Sequence, residues 1–133
     1  MLRVLWTALV LALSLGAHAG PLDRDFQKLE RALRMNPAQK EQFDIAVGAT
    51  QRALLAVAMS GMQIQERMRA EMDKARPDLN LLYDIHEQVI EQNKPLFREA
   101  RDEWMRLYSL LDPEQGRIAR RYVEERLDLL LRN

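Results

Sequence analysis

From Leu22 onward, apolar positions recur three and four residues apart, the spacing that lines up side chains on one face of an α-helix. No stretch alternates apolar with polar as a half-buried strand would, and Val, Ile and Thr are few. Four stripes follow. Leu22, Phe26, Leu29 and Leu33 make a short first one. The second begins after Pro37, runs to about Ala75 and has as its seam Phe43, Val47, Thr50, Leu54, Val57, Gly61, Ile64, Met68 and Met72. The third begins near Asp78 and shows heptad columns: Tyr83, Ile90, Phe97, Trp104 and Leu111 in one, His86, Asn93, Ala100 and Leu107 in the next, Val89, Leu96 and Leu110 in most of the last. The fourth follows Pro113, with Ile118, Ala119, Tyr122, Val123, Leu127 and Leu130 facing inward. Pro95 falls inside the third stripe, yet the columns stay in phase through it, which predicts one kinked helix rather than two. The expected fold is all-α with four helices, a long antiparallel hairpin flanked by shorter first and last helices.

Upstream of the first stripe the pattern changes. Arg3 precedes an almost wholly apolar run of about 14 residues, short of the roughly 20 that a spanning helix needs. Ala17-His18-Ala19 before Gly20 is a small-x-small pattern that fits a signal-peptidase site. Residues 1–19 are therefore expected to be a cleaved signal peptide and residues 20–133 a single helical domain of an exported protein.

The helix starts carry the most specific local signals. In Met35-Asn36-Pro37-Ala38-Gln39, Asn36 is placed to cap free N–H groups, Pro37 suits the first helical position, and Gln39 is placed to bond back. Asp112, Pro113 and Gln115 repeat the device in Leu111-Asp112-Pro113-Glu114-Gln115. These two pentapeptides resemble the doubled LTxxQ motif of the Spy/CpxP family of periplasmic proteins, with Asn36 and Asp112 where the family usually has Thr and Met35 in place of the first Leu. The likeness covers the chain from about Met35 to its end. It implies a curved, cradle-shaped homodimer in the periplasm and an ATP-independent chaperone that holds unfolded envelope proteins under stress. It also implies an alternative: a metal-responsive or stress-signalling modulator that binds a membrane sensor kinase or anti-sigma factor.

Geometry independently suggests a dimer. The second and third helices should span roughly 55 and 50 Å, whereas the first and last reach only about 20 and 28 Å along them from the open end. The half of the hairpin near Arg76-Pro77 then lacks cover within one chain, and it is there that residues 53–62 are apolar nearly all round. Leu55, Met59 and Met62 form a stripe on a different face from the seam, to be buried against the fourth helix or a dimer mate or else to meet a client, while Arg52 and Arg69 flank it and suit acidic parts of an unfolded chain. A plainer reading makes this a structural dimer whose apolar surface meets one fixed partner, with the arginines merely solvated. Arg117, Arg120 and Arg121 read as a solvated face, with Glu124 and Glu125 one turn on as pairing partners.

Composition narrows the chemistry. Twenty basic residues balance twenty acidic ones, so nucleic acid is not the expected partner. With no cysteine there is no disulfide, redox pair or thiolate site. His86-Glu87 begins a HExxH pattern but Ile90 stands where the second ligand belongs, so His86 is expected in the helix seam and no metal or cofactor is expected. Met59 and Met62 alone would make only a weak soft-metal site. No phosphate-binding glycine loop or GxSxG elbow is present, and nothing in the spacing favours a Ser60–His86–Asp84 grouping, so no enzyme is expected.

Overall fold

A computed structural model describes residues 19–131, with side chains for residues 24–128. Four helices and no strands occur among the described residues: α1, Ala19–Leu33; α2, Pro37–Met72; α3, Leu79–Leu110; and α4, Pro113–Leu131. The all-α, four-helix expectation holds. The leader expected over residues 1–19 lies outside the described residues apart from Ala19, the first residue of α1, and so do the side chains of Leu22 and Leu130.

α2 and α3 pack along each other as an antiparallel hairpin. Their cross-links run in opposite order: Gln42 to Glu103, Arg52 to Glu99, Ser60 to Asn93 and Glu71 to Asp78. α1 packs on α4 and on the start of α2 at the open end of that hairpin, here called the base. α1 stops at Leu33 because Arg34 takes a left-handed backbone (φ 47°), which turns the chain toward the cap of α2. Pro95 sits within α3, which continues unbroken as one helix.

The core lies at the base and draws on every helix: Phe26, Leu29 and Leu33 from α1, Phe43 and Ala46 from α2, Trp104 and Leu107 from α3, Ala119 and Val123 from α4. Trp104 is its centre. The indole stacks on Phe26 at 5.6 Å and takes Phe43 edge-on at 5.6 Å. Its N–H donates to Thr50 Oγ1 at 2.8 Å, and that hydroxyl donates to the Ala46 carbonyl at 2.9 Å, so the buried polar pair is satisfied. Lys40 joins α1 to α2 through Glu30 (2.7 Å), and Arg126 joins α4 to α1 through Asp25.

Two seam expectations need correction. On α2 the expected seam residues Phe43 and Thr50 are buried, but the other buried positions are Gln39, Ala46, Ala49, Ala53 and Glu71, with Val47, Leu54, Val57, Ile64 and Met68 only half-buried and Gly61 and Met72 exposed. Small side chains let the two long helices approach, so alanine rather than the larger aliphatics faces α3. On α3 the inward line is Ile85, Val89, Asn93, Leu96, Ala100, Trp104 and Leu107, while Tyr83, His86 and Ile90 are exposed. A strict heptad column drifts about 20° per repeat on a straight helix. Three repeats back from buried Trp104, the column has turned about 60° and carries Tyr83 out to 69 % exposure.

Candidate functional site

The two motifs fold as reciprocal caps and then meet. Gln39 N–H donates to Asn36 Oδ1 at 2.9 Å, and Asn36 N–H donates to Gln39 Oε1 at 3.1 Å. Asp112 and Gln115 repeat this at 2.8 and 3.0 Å. Pro37 and Pro113 are the first residues of α2 and α4, where a missing N–H leaves nothing unpaired. Beyond the caps, the Gln39 amide donates to Gln115 Oε1 at 2.9 Å and the Gln115 amide donates to Gln39 Oε1 at 3.0 Å. Each amide also caps the end of another helix: Gln39 Nε2 reaches the Leu110 carbonyl at 2.8 Å and Gln115 Nε2 the Leu33 carbonyl at 2.9 Å. Both glutamines are buried. This clasp ties together the ends of α1 and α3 and the starts of α2 and α4. It is structural: every donor and acceptor of both amides is used internally.

Away from the clasp the hairpin is bare. Leu55, Met59 and Met62 are 62 %, 56 % and 72 % exposed on one stripe of α2, so α4, which stays at the base, does not bury them as one expectation had it. On α3, Leu79, Tyr83 and Ile90 are also exposed and recur at helical spacing. α2 contains an 18-residue stretch apolar enough, by length and composition, to cross a membrane, and only 22 % of it is buried. A core helix of that composition would be mostly covered. The apolar surface of α2 is therefore presented outward by this chain.

The flanking cations differ. Arg52 is exposed and pairs with Glu99 at 3.1 Å, bridging α2 to α3, whereas Arg69 is exposed near the end of α2 and lends its carbonyl to the Asp73 N–H. The α4 arginines sit in helical ion pairs, Arg120 with Glu124 at 3.6 Å and Arg121 with Glu125 at 3.3 Å, as their spacing predicts. Arg117 pairs with Glu114 instead. A shallow hollow of about 250 Å³ lies beside the second motif, between Tyr108, Pro113, Gly116, Arg117 and Arg120.

His86 lies on the outer surface of α3 rather than in its seam, and Ser60 accepts from Asn93 Nδ2 at 3.1 Å inside the hairpin. No group of three or more His, Cys, Asp or Glu is placed to hold a metal ion among the described residues. At the tip, Glu71 is buried and accepts from Lys74 Nζ (2.6 Å) and, second in effect, from the Asp78 N–H (2.9 Å), which hold its carboxyl below the usual glutamate range. At the base, burial pushes the Tyr122 hydroxyl up to about 12, with Arg126 over its ring at 5.1 Å.

The Gln39–Gln115 pair and the outward turn of Tyr83 and Ile90 are absent from the sequence reading. The first joins residues 76 positions apart. The second was legible in principle, because Ile85 and Val89 continue the inward line at the period of a straight helix. The chain matches no protein-family model, no curated protein and no solved structure.

Proposed function

We propose that the chain acts by binding, as a periplasmic ATP-independent chaperone-like protein that holds unfolded envelope proteins on the bare face of its hairpin and works as a homodimer. The observation that carries this reading is the outward stripe of Leu55, Met59 and Met62, in a protein whose main core cluster gathers at the base. Methionine is flexible and polarizable, and suits a surface that must fit many partners. The doubled motif, with its likeness to Spy/CpxP proteins, supports the same reading, and so does the leader pattern.

Magnitudes fit reversible holding. Each of the three side chains has more than half its surface left to bury, worth roughly 1–1.5 kcal/mol apiece. Their sum, roughly 3–5 kcal/mol, corresponds to an affinity near the millimolar range. One stripe then releases its client without an energy source, and two stripes linked in a dimer hold far longer. The α3 stripe of Leu79, Tyr83 and Ile90 is stiffer, and suits a partner of fixed shape such as a second copy.

Aggregation of several unrelated unfolded proteins, followed by light scattering without ATP, tests the proposal. The parent should suppress it at near-stoichiometric amounts. Changing Met59 and Met62 together to Gln keeps length and helix propensity while removing apolar character, and should weaken suppression several-fold with helicity unchanged. A parent with no effect, or a double variant as active as the parent, would refute it.

A further inference from the structure

Sulfur in this chain is carried by methionine alone. Among the methionines with described side chains, Met35 and Met105 are half-buried against the base core, and Met68 is half-buried in α2. Met59 and Met62 stand instead 56 % and 72 % exposed, three residues apart on one apolar stripe. Met72 is exposed too, but ten residues beyond Met62 places it about 80° further round the helix. An accessible thioether is readily oxidised by two-electron oxidants, and shielding by packing is what slows the reaction elsewhere in a protein.

We infer that Met59 and Met62 form an oxidation switch, a modification site at which a hypohalous acid turns the binding stripe of α2 from apolar to polar. The functional consequence rests on the client-holding reading of that stripe. In the chemistry, the sulfur lone pair attacks the halogen and hydroxide leaves. Water then adds to the halosulfonium sulfur and halide departs with the electron pair. Of the two protons lost from that water, one neutralises the hydroxide. The sulfur is oxidised by two electrons, the halogen is reduced by two, and the product is the sulfoxide. A sulfoxide carries a strong acceptor oxygen where the thioether had only a weak one, so it resists burial against apolar client segments. Leu55 alone then remains apolar on the stripe. Because Met35 and Met105 are packed, the base core keeps its thioethers and the fold persists. Leucine at the same positions would be equally apolar but inert to the oxidant; only methionine couples the stripe to redox conditions in a way that sulfoxide reductases undo.

Stoichiometric hypochlorite on the full chain, with peptide mass mapping, binding of an apolar-surface dye and the aggregation assay, tests this. One oxygen should appear on Met59 and on Met62 well before Met35 or Met105. Suppression should fall several-fold, as in the double glutamine variant, and dye binding by a smaller factor because Leu55 and the α3 stripe stay apolar; both should recover after methionine sulfoxide reductases. The variant M59L/M62L, compared with its own untreated level, should lose neither on the same treatment. Equal oxidation of all methionines, a parent unaffected in dye binding, or a leucine variant that responds like the parent would overturn the switch. If the untreated parent binds dye but suppresses no aggregation, the client-holding reading fails. The switch is then judged on mass mapping and dye binding, which it must still satisfy.

Discussion

A glutamine side chain offers two N–H donors and two acceptor lone pairs, and both motif glutamines use all four. Gln39 accepts from Asn36 and Gln115 and donates to Leu110 and Gln115; Gln115 accepts from Asp112 and Gln39 and donates to Leu33 and Gln39. Removing either amide strands a buried carbonyl, a cap N–H and half of the other amide. Gln39→Ala and Gln115→Ala should therefore each cost about 2–3 kcal/mol, against about 1 kcal/mol for Asn36→Ala or Asp112→Ala, which lose only a cap acceptor. The double glutamine variant should cost less than the two singles together, since the partners share bonds. Urea unfolding of the full set measures this, and equal losses for caps and glutamines would mean the clasp adds nothing to the caps. The caps are legible in sequence because they close within four residues. The clasp is not, because nothing local distinguishes a glutamine that turns back on its own cap from one that also reaches a distant one.

Within single elements, the phase of α3 decides what is offered to partners. Trp104 anchors the inward line, and the slow drift of a seven-residue column against a 3.6-residue helix brings Ile85 in and turns Tyr83 and Ile90 out. Helix type and extent are thus plain from the pattern, but the buried face is fixed only where a bulky anchor sets the phase. On α2 the same limit appears as Ala46, Ala49 and Ala53, rather than Val47, Leu54 and Val57, being fully buried beside Phe43 and Thr50. At the opposite end of these helices, the Glu71 carboxylate ties the turn while the Asp78 carboxylate caps α3. Lys74 and the Asp78 N–H both favour ionised Glu71, so its folded value lies below the ordinary 4.5. A group with a depressed folded value contributes stability that is fully present above the unfolded value and lost as pH falls through the folded one. The Glu71 side-chain carboxyl resonance should accordingly titrate with a midpoint below 4.5, and Lys74→Ala should move that midpoint upward. A midpoint at or above 4.5 would show that the carboxylate is not held at the turn.

At the scale of the whole molecule, cover is uneven: four helices surround the base and two run on beyond it. If a second copy meets the α3 stripe, sedimentation of the parent should give twice the chain mass at micromolar concentration, and Tyr83→Lys with Ile90→Lys should give monomers whose base core still unfolds cooperatively. A parent that sediments as a monomer, or a lysine variant that stays paired, would remove α3 as the dimer surface. The division also has an optical consequence. With the expected leader removed, Trp104 is the sole indole, and it sits fully buried between two phenylalanines with its N–H on a threonine hydroxyl. Its emission is therefore that of an enclosed, apolar site and follows the base alone. If the hairpin beyond the base takes up a client, is oxidised or loosens in acid, that emission should stay unchanged, so a fluorescence trace that looks inert is compatible with an engaged hairpin.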